Sequence, residues 1–293
     1  MESGNRVMVA AWNTVLFEKF CRFRHLVVDG TTQHSDAALD RCHYAAGERV
    51  LDVGCGFGST TQRIAGCVGP GGEAVGWDCA ENFARLAEAD AAERRITNAR
   101  FVVGDVQVDD LQGPYDHAFA SFGTMFFASP GAAMRNVRDA LKPGGTFMQV
   151  VWRRREENPW LYEAEQRVKA VVPVVSHDET DQVHCGPGPF SMADADTVGT
   201  MLRGAGFVDI SFERHDCDIC IGRDLDDAID FAMALGPAGE IIRLAGAEGV
   251  RRTPAVTTAL REVLACFVRR DGVWAPSSTW FIAAANPVER RGP

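Results

Sequence analysis

The sequence predicts an α/β fold built on a mostly parallel sheet with helices on both faces. Short apolar runs alternate with helical periodicity between residues 49 and 152, the pattern of successive right-handed βαβ units. Three consecutive apolar runs close on an aspartate, at Asp52, Asp78 and Asp105. A glycine-rich turn, Gly54-Cys55-Gly56-Phe57-Gly58, follows the first run and opens a helix.

The elements follow in order. Residues 1–30 predict an amphipathic helical segment, with Trp12, Val15, Leu16, Phe20 and Phe23 on its apolar stripe. A second helix is expected over 36–46, stopping at Gly47. Arg49 to Val53 reads as a buried strand and Ser59 to Cys67 as a helix. Strands are expected at 73–78, 100–105, 115–121 and 146–152, with helices at 82–95 and 131–141. Lys142-Pro143-Gly144-Gly145 predicts a turn.

After Trp152 the alternation stops. A helical stretch at 159–172 and the Gly/Pro-rich run 186–190 predict an insertion. A helix over 194–205 ends at Gly206, a strand follows over 207–213, residues 224–270 are mostly helical, and 279–285 is a last strand. Four units result. They are an N-terminal helical lid (1–46), a ligand-binding core (47–152), an insertion over a substrate pocket (153–191) and a C-terminal part with helical additions (192–293).

Bulk properties exclude several classes. A formal net charge of −10 repels phosphate backbones and argues against nucleic acid. Arg153-Arg154-Arg155 is a dense basic run, but Glu156 and Glu157 follow at once, as in a solvated loop. The nine cysteines are odd in number and scattered, so no disulfide framework is suggested and a cytoplasmic chain is expected. Cys217-Asp218-Ile219-Cys220 lacks a second cysteine pair and reads as part of a strand, so no metal site is expected. The N-terminus lacks a signal-peptide pattern, and the stretch 118–134 is too short and interrupted to span a membrane. A monomer or homodimer is expected.

The glycine-rich turn has a physical use. Glycines let backbone approach a ligand where a Cβ would collide. The following helix start offers unpaired amide donors. Dinucleotides and S-adenosylmethionine both fit this device. The pattern here is G-x-G-x-G, with Ser59 following, whereas the dinucleotide fingerprint is G-x-G-x-x-G. Asp52 suits a ligand that carries an ammonium group and would repel a pyrophosphate. Asp78 can accept the two hydroxyls of a ribose, and Asp105 can accept from an adenine amino group. Each acid alone could simply cap the next helix. Three at the carboxyl ends of consecutive strands point to a ligand, because ligands bind at that edge.

The series Val50-Leu-Asp-Val-Gly-Cys-Gly-Phe-Gly58, Gly76-Trp-Asp78, Phe101-Val-Val-Gly-Asp105, Tyr115-Asp116 and Leu141-Lys-Pro-Gly-Gly145 resembles class I S-adenosylmethionine-dependent methyltransferases. It is most similar to the branch that includes quinone-biosynthesis methyltransferases. The resemblance covers about residues 45–152. It implies a Rossmann-like seven-stranded sheet whose last strand is antiparallel. It also implies that Gly54, Cys55 and Gly56 pack on the methionine part, with Asp52 near its amino group. Asp78 would hold the ribose, Cys79 would lie on one adenine face, and Asp105 and the Val106 amide would read the adenine edge. Ser121 and Phe122 would lie beside the sulfonium, with Trp12 and His34 closing the site from the N-terminal segment. Ser121 stands where such relatives often carry arginine.

Methyl transfer from a sulfonium is an in-line displacement that positioning alone can accelerate, and a general base is optional. If a base is used, histidine suits it. His34, between the N-terminal helices, is the preferred candidate, ahead of His25, His177 and His184; His117 lies inside a strand. Phe127, Trp152, Trp160, Tyr162 and Phe190 are expected to line an acceptor pocket beneath the insertion, or to form a small satellite core. The expected activity is methyl transfer to a small aromatic or hydrophobic acceptor. An NAD-dependent oxidoreductase and a non-catalytic S-adenosylmethionine-binding protein are the alternatives.

Overall fold

The computed structural model describes residues 2–172 and 187–288. Four helices lead: α1 (Glu2–Asn13), α2 (Val15–Arg22), α3 (Arg24–Val27) and α4 (Thr32–Leu39). Then β1 (Arg49–Val53), α5 (Ser59–Val68), β2 (Glu73–Asp78), α6 (Glu81–Glu93) and β3 (Ala99–Val103) alternate. They continue into β4 (Tyr115–Ser121), α7 (Pro130–Asp139) and β5 (Leu141–Trp152). The remainder comprises α8 (Pro159–Val171), α9 (Ala195–Ala205), β6 (Val208–Gly222), α10 (Leu225–Ala234), α11 (Pro237–Leu244), α12 (Gly246–Leu264), β7 (Val268–Arg269) and β8 (Gly272–Ala285).

The strand order is β3-β2-β1-β4-β5-β8-β6, with β7 pairing on β8. β1 to β5 pair in parallel, and β8 runs antiparallel to both of its neighbours in that order. The expected seven strands are therefore joined by the two-residue β7. Val50, Leu51 and Val53 are fully buried, because helices cover both faces of the sheet. The chain reverses its order between β1 and β4. Strand carboxyl ends diverge at such a switch and leave a crevice.

Several boundaries differ from expectation, each for a local reason. The second helix runs over 32–39 rather than 36–46, and beyond it the Ala45 amide is taken by Glu48 Oε2 at 2.6 Å instead of a helical carbonyl. The turn at 142–145 is an irregularity inside β5, since Tyr115 pairs with Leu141 before it and His117 with Thr146 after it. β6 and β8 are longer than expected. β6 sits at the sheet edge, and its charged residues from Glu213 to Asp218 alternate faces there, a pattern that hides a strand from a search for apolar runs. Cys217 and Cys220 do lie in this strand. α9 and α10 begin on the aspartate caps Asp194 and Asp224, which accept the Thr197 and Asp227 amides at 2.8 Å each.

Candidate active site

The site starts from the turn after β1. Gly54, Gly56 and Gly58 have φ of +71°, +50° and +75°, values that favour glycine. A Cβ on Gly54 would lie 3.1 Å from the Gly123 Cα, so the turns after β1 and β4 meet backbone to backbone. A Cβ on Gly56 would meet nothing within 4 Å, so that glycine faces open space. Gly58 starts α5, which has no side-chain cap. Its leading amides are donors for a ligand.

A cavity of ≈ 210 Å³ opens at these strand ends. One part of its wall is the turn with Asp78, Cys79, Asp105 and Val106, and another is the β4 exit with Ser121 and Phe122. Asp78 Oδ2 accepts the Gly56 amide and Oδ1 the Ala80 amide, each at 2.9 Å. A carboxylate has about four acceptor sites, so each oxygen keeps capacity for a hydroxyl. Burial pushes the Asp78 carboxyl above its ordinary range, opposed by the two amides. Asp105 Oδ1 accepts from the Gln107 amide at 3.0 Å and from its side chain at 2.9 Å. Cys79 is pushed up to about 12 by burial and is a neutral thiol.

The rest of the wall comes from the N-terminal helices, the segment after β4 and α5. Trp12 lines the cavity, with Phe20 and Phe126 edge-on at 5.1 Å each. Phe127 also lines it. Ser35 of α4 reaches Ser121 at the β4 exit, Oγ to Oγ 2.6 Å. Arg63 of α5 pairs with Asp36 of α4 at the wall.

Other expected site residues sit elsewhere. Asp52 is 1% exposed and stands behind the turn, where its Oδ2 accepts the Thr61 hydroxyl at 2.6 Å. It ties β1 to α5 rather than lining the cavity, and burial pushes it up to about 7. His34 is wholly buried and off the cavity wall. Its Nδ1 meets His215 Nδ1 and Thr279 Oγ1 at 2.9 Å, and its Nε2 meets Ser277 Oγ at 2.8 Å. Burial and His215 push it down to about 3. Both nitrogens are engaged, so His34 does not serve as a base at this cavity. His177 and His184 lie outside the described residues. His25 pairs with Asp227 at 2.9 Å, and His117 bonds Thr146 Oγ1 at 2.7 Å.

Most of the expected acceptor lining belongs to the core. Trp152 packs on Phe122 at 4.5 Å, and Trp160 stacks on Phe231 at 5.9 Å and 12°. Tyr162 is half-buried, Phe190 lies under the Arg155 guanidinium at 5.3 Å, and neither lines the cavity. The reason is packing: α8 lays its apolar face on α11 and α12 and not over the cavity. Thr31, Thr32, Ser35, Asp36, Arg63 and Gln107 do line it and were not anticipated. Polar residues on a helix carry no periodicity that marks them as wall, and only the fold brings α4 beside the β4 exit.

Comparison with known proteins accords with this geometry. Residues 50–145 match a family model described as a methyltransferase domain. The chain is 32% identical over 192 residues to nocamycin O-methyltransferase of Saccharothrix syringae, covering 62% of this chain and 66% of that one. It is 25% identical over 174 residues to demethylmenaquinone methyltransferase of Lactococcus lactis subsp. lactis (strain IL1403), covering 58% and 69%. The chain thus spans about two thirds of the length of these curated relatives. A candidate methyltransferase from Bacillus halodurans C-125 shares the fold, with TM-score 0.56 and 15% identity over 87% of this chain and 99% of that one. The chain belongs to the class I S-adenosylmethionine-dependent methyltransferases.

Proposed function

We propose that this chain methylates a small aromatic or hydrophobic acceptor held between the N-terminal helices and the β4 exit. The observation that carries the reading is the two-sided cavity. Glycines and acids at strand ends form one side, and Trp12, Phe20, Phe126 and Phe127 form the other. The relatives named for O-methylation and for demethylmenaquinone are in keeping with an acceptor of this kind.

When bound, S-adenosylmethionine supplies an electrophilic methyl group on a sulfonium. Asp78 would accept the ribose hydroxyls at its two oxygens. Gly54 and Gly56 would leave room for the methionine part, and the Val106 amide and Asp105 would hold the adenine end. Phe122 and Ser121 would border the reacting end, with the Ser35 hydroxyl bonded to that of Ser121. Apolar rings on the acceptor side exclude water and hold the acceptor in line, the arrangement through which positioning lowers a displacement barrier. The acceptor's nucleophile then needs no base from His34. We further take residues 1–46 as the lid and 47–152 as the cofactor core. The chain acts as a monomer or homodimer on a small molecule rather than nucleic acid. A cytoplasmic setting suits the free cysteines among the described residues, and among those residues no helix is long and apolar enough to cross a membrane.

The test is transfer of tritium-labelled methyl from S-adenosylmethionine to a panel of phenolic, quinol and enolic acceptors. Label in at least one extractable product supports the reading. Cofactor binding with no transfer to any member would make the chain a binding protein and overturn it.

A further inference from the structure

A second cluster lies on the other side of α4 from the cavity. His215 and Cys217 are two apart on β6, so their side chains share one face. His34 reaches that face from α4. Its Nε2 lies 3.3 Å from Cys217 Sγ, and its Nδ1 lies 2.9 Å from His215 Nδ1. One donor atom from each of the three residues can be chosen so that all lie within 4.8 Å of one another. We propose that His34, His215 and Cys217 bind a borderline-soft divalent cation of the zinc class, which ties α4 to the edge of the sheet.

The donor set argues the identity. Two imidazoles and a thiolate suit zinc and disfavour magnesium or calcium, which take oxygen ligands. Two histidine nitrogens in contact share a single proton between them, and a cation can take that proton's place. The surroundings already supply outer-sphere partners. Ser277 Oγ lies 2.8 Å from His34 Nε2 and Thr279 Oγ1 lies 2.9 Å from Nδ1. Whichever nitrogen ligates, the other keeps a hydroxyl that orients the ring. A water can complete four-coordination. His34 is buried, whereas His215 and Cys217 are partly exposed on the edge strand, so the ion has an entry path. On loading, Cys217 releases its proton to solvent and ligates as thiolate. Glu213, on the same face, stays with Arg41, their atoms 2.6 Å apart.

The site bears on the cavity through α4. Thr32, Ser35 and Asp36 of the same helix line the cavity wall, so a bound ion fixes the position of that wall.

The test is a cobalt(II) titration of the chelator-stripped full chain. One equivalent should produce a thiolate-to-cobalt charge-transfer band with tetrahedral d–d absorption. Cys217→Ser, checked for folding by circular dichroism, should lose the charge-transfer band. His215→Gln, at a partly exposed position, should weaken binding by more than about tenfold. X-ray absorption of the zinc form should show one sulfur and two imidazole scatterers. No band in the wild type, or a band unchanged in folded Cys217→Ser, would overturn the proposal and leave a hydrogen-bonded network only.

Discussion

The Asn13 side-chain oxygen accepts the Glu81 amide at 3.0 Å, so a residue of α1 caps α6. α6 has no cap of its own, because Ala80 stands at that position. Asn82 returns the contact by donating to the Asn13 carbonyl at 3.0 Å. This junction follows directly on Asp78 and Cys79. Hydrogen bonds thus join α1 to the start of α6, next to the Asp78 edge of the cavity. Replacing Asn13 with alanine removes a cap worth about 1 kcal/mol. It should weaken S-adenosylmethionine affinity several-fold and speed limited proteolysis between α1 and α2. Unchanged affinity and cleavage would show that α1 and the cavity are independent.

Gly54 should tolerate no side chain. A Cβ there meets Gly123 at 3.1 Å, and its φ of +71° costs an L-residue about 1–2 kcal/mol. Gly54→Ala is expected to lower stability by that order in a denaturant titration and to abolish cofactor binding in calorimetry. Gly56→Ala meets no protein atom within 4 Å. It should lose cofactor affinity through a Cβ in the cavity, with a cost in stability set only by its backbone.

Asp52 makes stability depend on pH. Burial, which is the leading cause, raises its carboxyl from 3.8 to about 7. The folded chain therefore holds this proton more tightly than the unfolded chain. The stabilisation is fully present below 3.8 and is lost as pH rises through about 7. Its size is up to a few kcal/mol. Asp52→Asn should flatten this part of the profile in the cofactor-free protein, read by urea unfolding across that window. A parallel profile for the two proteins would contradict the burial argument.

Trp160 separates two roles that the sequence left open. It stacks on Phe231 and is 6% exposed, in the core between α8 and α10. Trp160→Ala should destabilise by about 3–5 kcal/mol, whereas Trp160→Phe should keep the KM for an acceptor near its wild-type value. A large KM change in a well-folded Trp160→Phe would return this residue to the acceptor pocket.

Local signals were legible and long-range ones were not. The turn at Gly54–Gly58 and the acids at 78 and 105 could be placed because each sits at a strand end that its own neighbours define. The acid at 52 was read as a ligand contact, yet the Thr61 hydroxyl in the first turn of α5 holds it behind the glycine-rich turn. The aromatics at 152, 160 and 190 had the right composition for a lining. Whether they face a cavity or a core depends on how α8 and the end of β5 pack against distant elements, which no local pattern states. The charged alternation of β6 hid both its length and the neighbours that His34 meets there.

Calorimetric titration with S-adenosylmethionine tests the central claim most directly, comparing the wild type with Asp78→Ala. Saturable one-to-one binding by the wild type is expected. The folded variant should bind roughly 10- to 100-fold more weakly, as expected for losing hydrogen bonds to a charged group. No binding by the wild type, or equal affinity in a folded Asp78→Ala, would contradict the assignment of this cavity to the methyl donor.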